Sequence, residues 1–281
     1  MSNSLVFAAR AVRRAALLGL VAIGASCAIS QQQEVQLGTT YATQIDTQLP
    51  IVRDSRVTGY VTSLGNSLAA VTDTRGLAWH FAVVDSKEVN AFAVPGGWVY
   101  VNRGLIARAQ TMNQLAGVLG HEIGHVTRRH SVQQIQQAQE VDGGLTALCT
   151  LTKICNSGVS QAAINLGGTA LFAKFSRSDE AQADEEGVAT LVKAGIDPRG
   201  IPEMFRLLLE ERKSNPSAVD AFFATHPLEE SRIAATNQQI AAYTPAQMRD
   251  LKVDTDAFQQ MKRRLNALPP SPTPKTVAAK P

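Results

Sequence analysis

Two histidines four residues apart, with a glutamate beside the first, restrict this chain more than any other feature: His121-Glu122-Ile123-Gly124-His125. On a helix, side chains at i and i+4 leave the same face one turn apart. Both imidazoles can therefore reach one metal ion, and Glu122 lies beside that face. Zinc in hydrolases takes three protein ligands and keeps a fourth position for water. Glu122 is then placed to take a proton from that water as it attacks a carbonyl. The competing reading is an amphipathic helix that carries two histidines by chance. With five His in 281 residues, the metal reading is preferred.

A third ligand is needed. The three-histidine class is excluded, because Arg128 and Ser131 stand where its glycine and third histidine would fall. An acid from a second helix is the alternative, and Ser176-Arg177-Ser178-Asp179-Glu180-Ala181-Gln182-Ala183-Asp184 supplies two, Glu180 and Asp184, again four apart. One carboxylate can ligate the metal while the other accepts the outer N–H of a ligand imidazole, which fixes its tautomer. Acids crowding a helix start also suit the helix dipole without any metal.

At this point the chain resembles the gluzincin endopeptidases of peptidase family M48. Four blocks carry the resemblance, in the family's order: Asn90-Ala91-Phe92-Ala93-Val94-Pro95-Gly96-Gly97, the 121–125 motif, Ser176 to Asp184, and Thr225-His226-Pro227. They imply an α+β, predominantly α, zincin-like fold with a small sheet edging the active-site cleft. They imply one Zn2+ per chain on His121, His125 and Glu180, with Asp184 supporting a ligand. The strand Asn90, Ala91, Phe92, Ala93 would pair with extended substrate through its main chain. His226 would lie near the metal, either stabilising the oxyanion or covering the ion, and Arg232 would orient the same loop. His130, five from His125, reads as structural and rotated away from the metal face, and His80 as surface or core filler.

Other chemistries find no support. There is no Ser/His/Asp arrangement, no cysteine in a nucleophile setting, and no glycine-rich phosphate loop, so nucleotide use is not expected. Residues 1–26 read as an export signal: Arg10, Arg13 and Arg14, then the apolar stretch Ala15 to Ala25, too short to span a bilayer as a helix. Gly24-Ala25-Ser26-Cys27 resembles a lipobox, with Gly24 where leucine is usual, and Ala28 after the cysteine favours the outer membrane. The expectation is an exported, periplasmic lipoprotein tethered at Cys27. Three of the 27 Lys and Arg lie in that signal and none of the 24 acids, so the remaining chain balances at zero and offers nucleic acid no electrostatic attraction. Cys149 and Cys155 are then an even pair, expected to form a disulfide in an oxidising compartment.

With 44% apolar residues, the chain can form one substantial core. Residues 27–33 are expected as a linker, 34–265 as the metallopeptidase domain and 266–281 as a disordered Pro/Ala tail. Helices are expected over Glu34 to Leu49, Asp54 to Ala70, Gln114 to Gln139 (one long helix bearing the metal motif), Pro202 to Lys213 and Ala234 to Ala242. Strands are expected over Trp79 to Val84 and Val94 to Val101, the second broken by Pro95-Gly96-Gly97 as a turn or bulge near the cleft. The nearly uncharged stretch 143–172 reads as a lid. The function expected is a zinc endopeptidase acting on misfolded or misassembled envelope proteins. The alternative is a chaperone-like lipoprotein that binds clients in the same cleft.

Overall fold

A computed structural model describes residues 28–141 and 174–272, with the folded unit beginning at Gln31. The expectations for residues 1–26, Cys27, the lid, and Cys149 with Cys155 lie outside the described residues. Two helices open the fold: α1 (Gln31–Gln48) and α2 (Ser55–Thr72). Residues 31–33, expected as linker, are the first turn of α1. Asp54 starts α2 by accepting hydrogen bonds from the Arg56 and Val57 N–H groups at 3.2 Å each, which satisfies amides that a helix start leaves unpaired.

Three strands follow: β1 (His80–Val84), β2 (Ala91–Val94) and β3 (Trp98–Asn102). Their order is β1-β3-β2. β1 runs parallel to β3, pairing Phe81 with Val99, and β2 runs antiparallel to it, pairing Phe92 with Tyr100. The segment expected as one strand broken at Pro95-Gly96-Gly97 is therefore a hairpin. Gly96 and Gly97 turn it at φ of 80° and 102°, a region that residues with a Cβ rarely enter. β2 is one of the two outer strands of this sheet.

The remainder is helical: α3 (Arg103–Arg108), α4 (Met112–Thr127), α5 (His130–Val141), α6 (Arg177–Lys193), α7 (Gly200–Ser214), α8 (Pro216–Thr225), α9 (Glu230–Ala241) and α10 (Asp256–Asn266). Among the described residues no helix is long and apolar enough to cross a membrane. The architecture is α+β and mostly helical, as expected. α3, α8 and α10 are not among the expected helices, although α10 buries Phe258, Met261 and Leu265 in an i, i+3, i+7 stripe.

α4 is the axis of the core. Every residue from Met112 to Val126 is buried, its apolar side chains Leu115, Leu119 and Ile123 joining Val57, Val61, Val83, Val101, Leu191 and Met204. The helix expected to run to Gln139 is two helices. Arg129 takes a φ of 61°, ending α4 and redirecting the chain into α5. α6 lies hard against α4 because the residues at their crossing are small. A Cβ placed on Gly124 would stand 3.1 Å from both the Cα and the carbonyl oxygen of Ala183, backbone atoms that cannot swing aside. Gly124→Val is therefore expected to overpack this crossing and to lower the unfolding free energy by about 2 kcal/mol. Urea denaturation of the metal-free protein measures this, and an unchanged midpoint would contradict the close approach.

Candidate metal centre

The crossing of α4 and α6 brings two local i, i+4 pairs face to face. His121 and His125 present their Nε2 atoms 3.0 Å apart. Glu180, from the first turn of α6, reaches between them, with Oε2 3.5 Å from His121 Nε2 and Oε1 3.4 Å from His125 Nε2. An ion with tetrahedral bonds of about 2.0–2.1 Å needs ligand atoms roughly 3.4 Å apart. These separations suit it, so the donor set fits zinc. His226, at the C-terminal end of α8, adds a fourth donor, and the ligand atoms of all four residues lie within 4.8 Å of one another.

The acidic start of α6 is divided among separate tasks. Asp179 closes a capping box: Ser176 Oγ accepts from the Asp179 N–H at 3.1 Å, and Asp179 Oδ2 accepts from the Ser176 N–H at 3.0 Å. This pins the helix end. Glu186 pairs with Arg128 at 2.8 Å. Asp184 faces inward and lies 2.9 Å from His121 Nδ1, which orients that imidazole with Nε2 toward the centre.

Arg232, on α9, serves both inward-facing acids. It donates from Nε and Nη2 to the two oxygens of Asp184 at 2.9 and 2.7 Å, and its Nη1 pairs with Glu180 Oε2. The same Nη1 donates to the Pro227 carbonyl at 3.0 Å, so Arg232 also fixes the loop after His226. Its guanidinium lies over the Phe205 ring at 4.6 Å.

These surroundings set the protonation of the cluster. Burial penalises charge on Glu180, yet the electrostatic pull of His226 and hydrogen bonds from His121, His125 and His226 outweigh it and hold the carboxyl well below its usual range. Burial likewise opposes charge on His121, but hydrogen bonds to Asp184 and Glu180 raise it to about 10. A ligating imidazole is neutral, so metal binding here must displace that proton. His125 is pushed well below its ordinary value, chiefly by burial. Glu122 is raised, also chiefly by burial, against the pull of His226 and His121. Both its carboxylate oxygens are buried without a hydrogen-bond partner. His226 Nε2, also unpartnered, is 3.6 Å from Glu122 Oε1.

All residues expected at the centre thus meet there: His121, Glu122, His125, Glu180, Asp184, His226 and Arg232. Ala91, Phe92 and Ala93 lie on β2 at the sheet edge, packed on α4, with Asn90 just before it. His80 is exposed and stacks on Trp98 at 3.9 Å.

One expectation is overturned. His130 does not turn away: its Nδ1 lies 2.9 Å from His125 Nδ1. The expectation assumed a continuous helix, and the left-handed Arg129 brings residue 130 back behind His125, against its outer nitrogen. Phe175 was also missed. Its ring stacks on His125 at 3.9 Å and its N–H donates to the Thr225 carbonyl at 3.0 Å, beside His226. Neither residue belongs to a motif, so only the tertiary arrangement reveals them.

Comparison with known proteins agrees with this geometry. Residues 55–240 match the model of peptidase family M48. The chain is 31% identical over 216 residues to the beta-barrel assembly-enhancing protease of Escherichia coli K12, covering 75% of this chain and 44% of that one. It is 28% identical over 230 residues to the metalloprotease LoiP of the same organism, covering 80% and 88%. It is 29% identical over 174 residues to the mitochondrial metalloendopeptidase OMA1 of Schizosaccharomyces pombe, covering 62% and 50%. The chain spans about half the length of the assembly-enhancing proteases it matches. On the family match and the histidine–glutamate cluster together, the chain belongs to peptidase family M48, a family of metalloproteases.

Proposed function

We propose that this protein is a zinc endopeptidase of the bacterial cell envelope that hydrolyses peptide bonds of misfolded or misassembled envelope proteins. The observation that carries the reading is Glu122: a buried carboxylate with both oxygens unpartnered, beside a three-ligand donor set. A purely structural zinc site has no use for such a group. One relative is named a beta-barrel assembly-enhancing protease and another a metalloprotease, and these names support the substrate class.

His121, His125 and Glu180 would hold the zinc, which when bound lowers the pKa of a water and polarises a carbonyl. Glu122 takes the proton of the attacking water as its oxygen bonds to the scissile carbonyl carbon. Its raised proton affinity suits it to accept that proton and then to give it to the amide nitrogen, as the C–N bond breaks to leave an acid and an amine. His226 would donate to the oxyanion, and Arg232 with Asp184 would keep His121 and Glu180 in register. An extended substrate would lie along β2. Hydrogen bonding alternates in an antiparallel pair, and Asn102 N–H donates to the Asn90 carbonyl. The main-chain groups of Ala91 and Ala93 therefore face away from β3 and can pair with another strand. An export signal with a lipid anchor at Cys27, and a Cys149–Cys155 disulfide, belong to the same reading.

Wild-type protein is expected to bind about one zinc and to cleave unfolded casein. Glu122→Gln should keep the zinc and lose roughly 100-fold or more of the rate; zinc binding without cleavage in the wild type would favour the client-binding alternative. Glu180→Gln should lower zinc occupancy in metal analysis after dialysis, and full occupancy would remove Glu180 from the ligand set. His226→Ala should retain zinc and cleave about 100-fold more slowly. Faster cleavage would show instead that His226 covers the metal.

A further inference from the structure

We propose that His130 is a positioning residue that orients His125 toward the metal, and that Glu34, acting through Arg129, holds His130 in place. This rests on the metal reading above and adds residues outside its motifs.

The His125 ring has two nitrogens, and only one tautomer suits ligation through Nε2: the proton must sit on Nδ1. That Nδ1–H needs an acceptor, and in this fold the group 2.9 Å away is His130 Nδ1. Accepting there puts the His130 proton on its Nε2, which faces Asp179 Oδ1 at 3.9 Å. His130 is 1% exposed, so no bulk solvent competes for the contact. His121 is oriented by a carboxylate, Asp184; His125 is oriented by a second imidazole.

His130 reaches this position through the left-handed turn at Arg129. A non-glycine residue stays in that region only where its surroundings hold it. Arg129 Nε donates to Glu34 Oε2 at 2.7 Å, and Glu34 is itself fully buried. Arg75 donates to the same oxygen at 2.9 Å and, from its other nitrogen, to the Val126 carbonyl at 2.8 Å. Glu34 Oε1 faces the Gly96 N–H at 3.4 Å. Its helix lies hard against that turn, since a Cβ on Gly38 would fall 1.8 Å from the Pro95 carbonyl oxygen. α1 and the β2–β3 hairpin thus form the mount for this ion pair, and Arg129 joins it to the end of α4 just before His130.

The test is zinc affinity, measured on the purified full chain by competition with a chromophoric chelator. Circular dichroism and thermal unfolding of the metal-free protein report folding. His130→Ala is expected to fold and to bind zinc about 10–100-fold more weakly, and His130→Asn, whose Oδ1 can stand where Nδ1 stood, to recover most of the loss. Glu34→Gln should also weaken zinc binding, but should add no further loss in the His130→Ala background, as residues acting in series require. Should Glu34→Gln fail to fold, Arg129→Ala carries the same comparison, since it removes the guanidinium while keeping a Cβ that the left-handed turn disfavours. Zinc affinity unchanged in folded His130→Ala overturns the proposal while leaving the metal reading intact. An equal loss from Glu34→Gln with and without His130 overturns the Glu34 arm. Absence of zinc from the wild type would overturn both readings together.

Discussion

The centre depends on one interaction more than any other, the grip of Arg232 on Asp184 and Glu180. Two carboxylates buried within one helical turn of each other repel, and neither is stable as an anion in a dry interior without a countercharge. Arg232 supplies it with a planar fork matched to Asp184, while also reaching Glu180. Once the two acids are tolerated, α6 can lie against α4 at the distance that the small residues Gly124 and Ala183 permit. Removing the guanidinium would strip both buried acids of the cation they share and leave the histidines alone to offset them, a costlier change than losing a surface ion pair.

The positions that could be read from sequence are those governed by local rules. His121 with His125, and Glu180 with Asp184, share faces because a helix repeats every 3.6 residues, whatever the rest of the fold does. Asp54 and Ser176 announce helix starts for the same reason. Which acid ligates the metal was left open by spacing alone, and the resemblance to the family indicated Glu180. The structure puts Glu180 between the imidazoles and Asp184 behind one of them.

The failures share a physical cause as well. A single dihedral at Arg129 decides whether His130 packs behind His125 or turns away from it, and arginine is not a residue that advertises a left-handed turn. The strand expected over Val94 to Val101, with a turn or bulge at Pro95-Gly96-Gly97, is two paired strands, because those residues reverse the chain completely. Phe175 stacks on His125 across a helix boundary, a contact with no periodic signature. In each case long-range packing chose between local conformations that the sequence leaves close in energy.

The donors of the centre come from α4, α6 and the end of α8, helices distant along the chain. No single segment contains a working set of ligands. Hydrolytic competence is therefore a tertiary property, arriving only when these helices have docked. On the reading of an exported protease, this gives the chain a built-in delay: while it is threaded across a membrane as an unfolded polymer it is itself only potential substrate, and it becomes an agent of cleavage after it has ceased to resemble one.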